Sequence, residues 1–194
     1  SVNPSYTPDE LLHQLNDSEA EILMPFSGSI TNFTPIRDKV GIKQVLVMTL
    51  ADCGQNPLPP PPVPEDFADY TMLSDALEKG AGMNFEPVSV TREDLAFLQY
   101  TGGTTGPSKG AMLTHGNFLH NVASCAECLE ISADDRMVVV LPQFHSFMFT
   151  VGTLLPLLSG AGIVLLKSLH PFKNVLVEII KRKGTILPAV PPLY

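Results

Sequence analysis

Residues Tyr100 to Gly110 read YTGGTTGPSKG, and this stretch constrains the chain more than any other. Its eleven residues hold four glycines, three threonines, one proline and one lysine. The apolar run Leu95 to Tyr100 (LAFLQY) precedes it and reads as a strand. Such a strand, followed by glycines and threonines, ends in a loop whose backbone N–H groups can turn toward an anion with no Cβ in the way. Threonine hydroxyls can bond phosphate oxygens, and the lysine adds a mobile point charge. The segment therefore reads as a phosphate cradle.

Two better-known phosphate and nucleophile patterns do not apply. A Walker A loop needs Gly, four residues, then Gly-Lys-Ser/Thr. Here Lys109 follows Ser108, and Ala111 stands two residues after the lysine, so the spacing excludes an ordinary P-loop. Gly106-Pro107-Ser108-Lys109-Gly110 matches G-x-S-x-G, the nucleophile elbow of α/β-hydrolases. That elbow must sit directly at a strand-to-helix turn, whereas Thr101 to Gly106 separate the strand from Pro107.

The longer segment YTGGTTGPSKGAMLTHGNF resembles the signature of the adenylate-forming superfamily, which includes acyl-CoA synthetases, luciferases and peptide-synthetase adenylation domains. The usual pattern is Tyr or Phe, then T-S-G-T-T-G-x-P-K-G. This chain departs from it at Gly102, where serine is usual, and at Ser108, where proline is usual. The T-G-G-T-T-G form is similar to that of long-chain fatty acid–CoA ligases. Three further segments agree in order and spacing: Asn3 to Ser18 (NPSYTPDELLHQLNDS), Leu141 to His145 (LPQFH) and Ala189 to Tyr194 (AVPPLY).

The resemblance implies a reaction. A carboxylic acid attacks the α-phosphate of ATP, giving an acyl-adenylate and pyrophosphate, and coenzyme A then takes the acyl group. It implies that Thr101, Gly102, Gly103, Thr104, Thr105 and Gly106 embrace the β- and γ-phosphates and that Lys109 steadies the departing pyrophosphate. It also places His145 beside the acyl-adenylate. On residue type alone, a lone histidine amid apolar residues reads as a hydrogen-bonded core residue. Its position after a buried strand and Pro142 puts it instead at a strand's C-terminal end, where open α/β sheets bind ligands. Phe144 and Phe147 can line an acyl pocket or simply pack. His115 reads as structural. Mg2+ is implied too, but the Tyr-Gly-x-Thr-Glu segment whose glutamate would hold it does not occur here. Nor does the Thr-Gly-Asp segment that would hold the ribose, nor the small C-terminal domain. The expectation is a piece of the large N-terminal domain, inactive alone.

Composition narrows the partners. The chain has 194 residues, enough for a core of its own. Charged residues make up 16%, against about 25% in ordinary soluble domains, which suggests surface covered by further protein. A net charge of −8 argues against nucleic acid. Cys53, Cys125 and Cys128 give an odd count that reads as free thiols in a reducing, cytoplasmic compartment. Cys125 and Cys128 form one C-x-x-C with no second ligand pair, so they read as structural thiols sharing a helix face. Peripheral membrane contact of the parent is compatible with a long acyl substrate. Other carboxylic acids, aryl or amino, and a non-catalytic nucleotide-binding module are the competing functions.

The order of elements is helix and strand in alternation. Thr7-Pro8-Asp9-Glu10 opens a helix as N-cap, first position and capping box. Ala20 to Met24 reads as a strand, Thr31 to Val40 as a helix, and Ile42 to Leu50 as a strand. Residues 1–51 thus form one αβ segment, 52–66 a proline-rich linker, and 67–194 a second αβ segment carrying the phosphate loop. Thr71 to Lys79 reads as a helix, Ala111 to Leu113 as a short strand, Gly116 to Leu129 as a helix and Met137 to Leu141 as a buried strand. The 19 uncharged residues Met148 to Leu166 approach a membrane-spanning length, but Pro156 and Ser159 to Gly162 break them into a buried helix and a strand. Val175 to Lys183 reads as a helix stopped by Gly184, and Thr185 to Val190 as the last strand. The fold class expected is α/β, a mostly parallel sheet with helices on both faces.

Overall fold

The computed structural model describes residues 1–49, 52, 70–103, 106–166 and 169–191. All of the proline-rich linker except Asp52 lies outside them, as do Thr104 and Thr105. The chain divides into two compact units. One comprises Ser1–Ser89 and Tyr100–Ala111, the other Val90–Gln99 and Met112–Tyr194.

The first unit begins with α1 (Pro8–Asp17). Its entry is the expected capping box. The Glu10 N–H donates to Thr7 Oγ1, and the Thr7 N–H donates to Glu10 Oε2 at 2.8 Å. The Thr7 N–H foremost, and then the Thr7 hydroxyl, which also donates to Glu10 Oε2 at 2.8 Å, hold the Glu10 carboxyl below its ordinary range. Leu11 and Leu15, one turn apart, bury against Ile30, Phe33, Ile36, Val45 and Val47. The strands β1 (Ile22–Leu23), β2 (Gln44–Val47) and β3 (Thr71–Met72) form a parallel sheet in that order, with Ile22 opposite Gln44 and Leu46 opposite Thr71. The helix α2 (Leu73–Gly80) follows β3 directly.

Two expectations change in this unit. Thr31 to Val40 is not an α-helix but parts of two 3-10 helices, Ser27–Asn32 and Thr34–Lys39. Gly28, the β-branched residues and Pro35, which has no N–H to donate, favour the tighter turns over a continuous i−4 ladder. Thr71 and Met72, read as the start of a helix, are drawn into the sheet by pairing with β2.

In the second unit, α3 (His115–Leu129) starts on a second capping box. Thr114 Oγ1 accepts from the Asn117 N–H at 3.2 Å, and Asn117 Oδ1 accepts from the Thr114 N–H at 2.9 Å. The strands β6 (Arg136–Val139) and β7 (Gly162–Leu165) pair in parallel, Met137 opposite Ile163. Between them runs one helical passage: α4 (Ser146–Met148), a π-helical turn (Phe149–Leu154) and α5 (Leu155–Ser159). Pro156 cannot donate an N–H, so the wider turn falls just before it. Gly160 ends the passage at φ 75°. Val122, Met137, Val139, Met148 and Leu155 form this unit's core. The apolar stretch Met148 to Leu166 is thus a broken helix and a strand, and among the described residues no helix is long and apolar enough to cross a membrane.

The last helix, α6 (Phe172–Arg182), ends one residue earlier than expected, with Lys183 taking the left-handed conformation at φ 55°. Gly184 has a different role. A Cβ there would stand 2.3 Å from Val138 Cγ2, so glycine lets the chain pass close to β6. The expected strand Thr185 to Val190 reduces to a single bridge, Ile186 to Met137, because Pro188 cannot extend a ladder.

The strands β4 (Leu95–Gly103) and β5 (Gly106–Thr114) pair with each other as a two-stranded sheet. Two residues separate them, a span that joins antiparallel strands and is far too short for a parallel crossover. Among the described residues the fold is α/β, as expected, with parallel pairing in two sheets and one hairpin.

Candidate functional site

The described parts of the glycine-threonine segment belong to the paired strands β4 and β5, where a loop was expected from Thr101 to Gly106. Cross-strand pairing extends β4 through Thr101, Gly102 and Gly103 and starts β5 at Gly106. Thr104 and Thr105 lie outside the described residues. Thr101, Gly102, Gly106 and Lys109 are exposed. A Cβ at Gly102 or Gly106 would meet no atom within 4 Å, and neither has a positive φ. Neither packing nor backbone strain demands glycine there, so both positions leave the backbone open to an approaching anion. Lys109 pairs with no acid among the described residues.

Ser108 belongs to extended β5 and not to a strand-to-helix turn, so the nucleophile-elbow reading of G-x-S-x-G fails on geometry. Its carbonyl oxygen instead accepts a hydrogen bond from His13 Nε2 at 2.7 Å. On the other strand, the Tyr100 hydroxyl donates to Asp17 Oδ2 at 2.6 Å. Tyr100 is 9% exposed. Burial first, then the Asp17 carboxylate accepting its proton, pushes the phenol up to about 12. Its ring also covers Gly110, where a Cβ would stand 3.0 Å from Cζ. These contacts of His13, Asp17 and Tyr100 were not read from the sequence. Their one signal was the segment NPSYTPDELLHQLNDS, which carries His13 and Asp17.

His145 belongs to the second unit. Six residues after β6, it stands immediately before α4, with its carbonyl accepting from the Phe149 N–H at 2.9 Å. It is exposed, and its ring bonds nothing among the described residues, which sets aside the buried-core reading. Phe147 is 42% exposed. Phe149, which follows this turn, stacks on Phe97 with ring centres 4.6 Å apart, and Phe118 meets both rings edge-on. The Gln99 side chain reaches the Phe144 carbonyl at 3.5 Å. His115 opens α3, its N–H donating to the Asp94 carbonyl, a structural place. Cys125 and Cys128 are free thiols on α3.

No group of three His, Cys, Asp or Glu side chains among the described residues could hold a metal ion. A cavity of about 670 Å³, lined by Asp135, Arg136, Ile163, Leu165, Glu178 and Arg182 among others, contains none of the predicted site residues.

A profile of the AMP-binding enzyme family matches residues 1–194. The long-chain-fatty-acid–CoA ligase of Escherichia coli O157:H7 is 33% identical over the whole chain, which covers 37% of that protein. Among solved structures, a long-chain-fatty-acid-CoA ligase from Archaeoglobus fulgidus superposes with a TM-score of 0.79 at 35% identity, over 99% of this chain and 34% of that one. ATP-bound MatB from Rhodopseudomonas palustris superposes at 0.74 with 28% identity, over 100% of this chain and 34% of its own. The chain thus spans a little over a third of the length of these relatives. It belongs to the AMP-binding enzyme family, and its α/β fold matches part of the N-terminal domain of acyl-CoA ligases.

Proposed function

We propose that the enzyme carrying this chain is a long-chain fatty acid–CoA ligase and that the β4–β5 hairpin holds the triphosphate of its ATP. The fatty acid carboxylate attacks the α-phosphorus. A carboxylate–phosphorus bond forms, the α–β anhydride breaks, and pyrophosphate leaves with the electron pair. The thiol of coenzyme A then adds to the acyl carbon, loses its proton, and AMP departs. Such a reaction asks the protein for positioning and charge neutralisation more than for covalent help.

The observation that carries this reading is the exposure of Thr101, Gly102 and Gly106 together with Lys109 on the hairpin's second strand. Thr101, Gly102, Gly103, Thr104, Thr105 and Gly106 supply amides and hydroxyls to the β- and γ-phosphates, and Lys109 offsets the charge that grows on the leaving pyrophosphate. His145 serves the acyl-adenylate, where an exposed imidazole can donate to a carbonyl or phosphate oxygen. ATP and coenzyme A are the co-substrates. ATP is supported by the ATP-bound relative, and a fatty acid by the two long-chain ligases among the relatives.

The test is product identification with the complete enzyme. Given ATP and a long-chain fatty acid without coenzyme A, it accumulates the acyl-adenylate, and added coenzyme A converts this to acyl-CoA. An enzyme that adenylates an aryl or amino acid and no fatty acid overturns the substrate, and one that makes no adenylate with any acid overturns the reaction.

A further inference from the structure

The hairpin does not stand on its own pairing alone. Both of its strands are bonded to α1, one on each side of the tip. From β4, the buried Tyr100 donates its hydroxyl to Asp17 at 2.6 Å, one residue before Thr101. From β5, the Ser108 carbonyl accepts from His13 at 2.7 Å, one residue before Lys109. His13 and Asp17 are four residues apart, one helical turn, and so lie on one face of α1. The Tyr100 ring also closes over Gly110, so a single side chain touches α1 and both strands. The helix is itself a firm base, with Leu11 and Leu15 in the core and its first turn closed by the Thr7–Glu10 box.

We propose that α1 is the platform that fixes the phosphate hairpin, with His13, Asp17 and Tyr100 as positioning residues that set Thr101 and Lys109 against the nucleotide phosphates. This rests on the reading of the hairpin as the triphosphate site. A group offset by about an ångström loses much of its effect on reacting phosphates, so hydrogen bonds behind the strands act on nucleotide binding without touching it.

The experiment is steady-state kinetics of the complete enzyme for Tyr100→Phe, His13→Ala and His13→Gln, with Lys109→Ala and Thr7→Ala beside them. Tyr100→Phe and His13→Ala raise KM for ATP about five- to tenfold, the weight of one hydrogen bond, and leave KM for the fatty acid and coenzyme A unchanged. His13→Gln, which restores an N–H donor, recovers most of the loss. Thr7→Ala lowers Tm by removing the helix cap but leaves every KM in place, which separates positioning from mere stability. If Lys109→Ala raises KM for ATP while Tyr100→Phe and His13→Ala do not, α1 is no platform and the triphosphate reading stands. If Lys109→Ala changes nothing, the triphosphate reading falls and the platform with it.

Discussion

The Tyr100 hydroxyl donates to Asp17 Oδ2 at 2.6 Å, joining the strand that enters the glycine-threonine tip to the last turn of a helix 83 residues earlier. The phenol is buried, and its proton is held by a carboxylate. Ionising it would place two negative charges in contact in a site with little water.

This predicts a late tyrosine titration. The folded phenol titrates near 12, above its ordinary value of 10. Below pH 10 the phenol is neutral in both folded and unfolded chains, and its contribution to stability is fully present. Between 10 and 12 the unfolded chain ionises first, so that contribution is lost as pH rises through the folded value. The ultraviolet difference titration of the native enzyme minus Tyr100→Phe isolates this one group. A transition near 12 is expected, and a transition at the ordinary phenol pKa contradicts the Asp17 contact.

Gly184 predicts a steric effect with no loss of backbone freedom behind it. A methyl group there would stand 2.3 Å from Cγ2 of Val138, a residue 1% exposed in β6. The branched Cβ of Val138 restricts χ1, and its burial leaves the side chain little room to turn away. Gly184→Ala therefore destabilises by about 1–3 kcal/mol in denaturant unfolding. A wild-type midpoint would show that the chain at Gly184 does not pass this close to β6.

Asp135 predicts acid sensitivity. Its carboxylate accepts from the Ser132 N–H at 2.8 Å, from Thr185 Oγ1 at 2.8 Å and from Ser132 Oγ at 3.1 Å. These donors, the Ser132 N–H foremost, hold its pKa below the ordinary carboxylate value. The contribution is present above that ordinary value and is lost as pH falls through the lowered folded one. Asp135→Asn lowers Tm at neutral pH and flattens the fall of Tm on acidification. Parallel Tm–pH curves for the two proteins would mean that the carboxylate carries none of it.

What was legible in the sequence was short in range. Thr7, Pro8 and Glu10 announce the start of α1 because a capping box is written within four residues. The α3 helix and the buried strand at Met137 follow from local pattern in the same way. The same spacing repeats at Thr91–Asp94, Thr114–Asn117 and Ser132–Asp135, each a side chain three residues on that accepts the first residue's N–H, and each could have been read. Non-local pairing could not. Thr101 to Gly103 and Gly106 to Gly110 look like loop because glycine has no strand preference, yet each strand is held by the other. The exposed glycines, threonine and Lys109 of the candidate site were marked by their composition. The helix face beneath them was not, since His13 and Ser108 are 95 residues apart.

The most direct measurement of the central claim is fatty-acid-dependent exchange of labelled pyrophosphate into ATP by the complete enzyme, native against Lys109→Ala. Exchange reports adenylate formation and its reversal without coenzyme A. The hairpin reading predicts exchange that requires a long-chain acid and falls about a hundredfold or more when Lys109 is lost, the scale for removing one charge-stabilising group from a reacting centre. Undiminished exchange in Lys109→Ala would contradict the placing of the pyrophosphate on this hairpin.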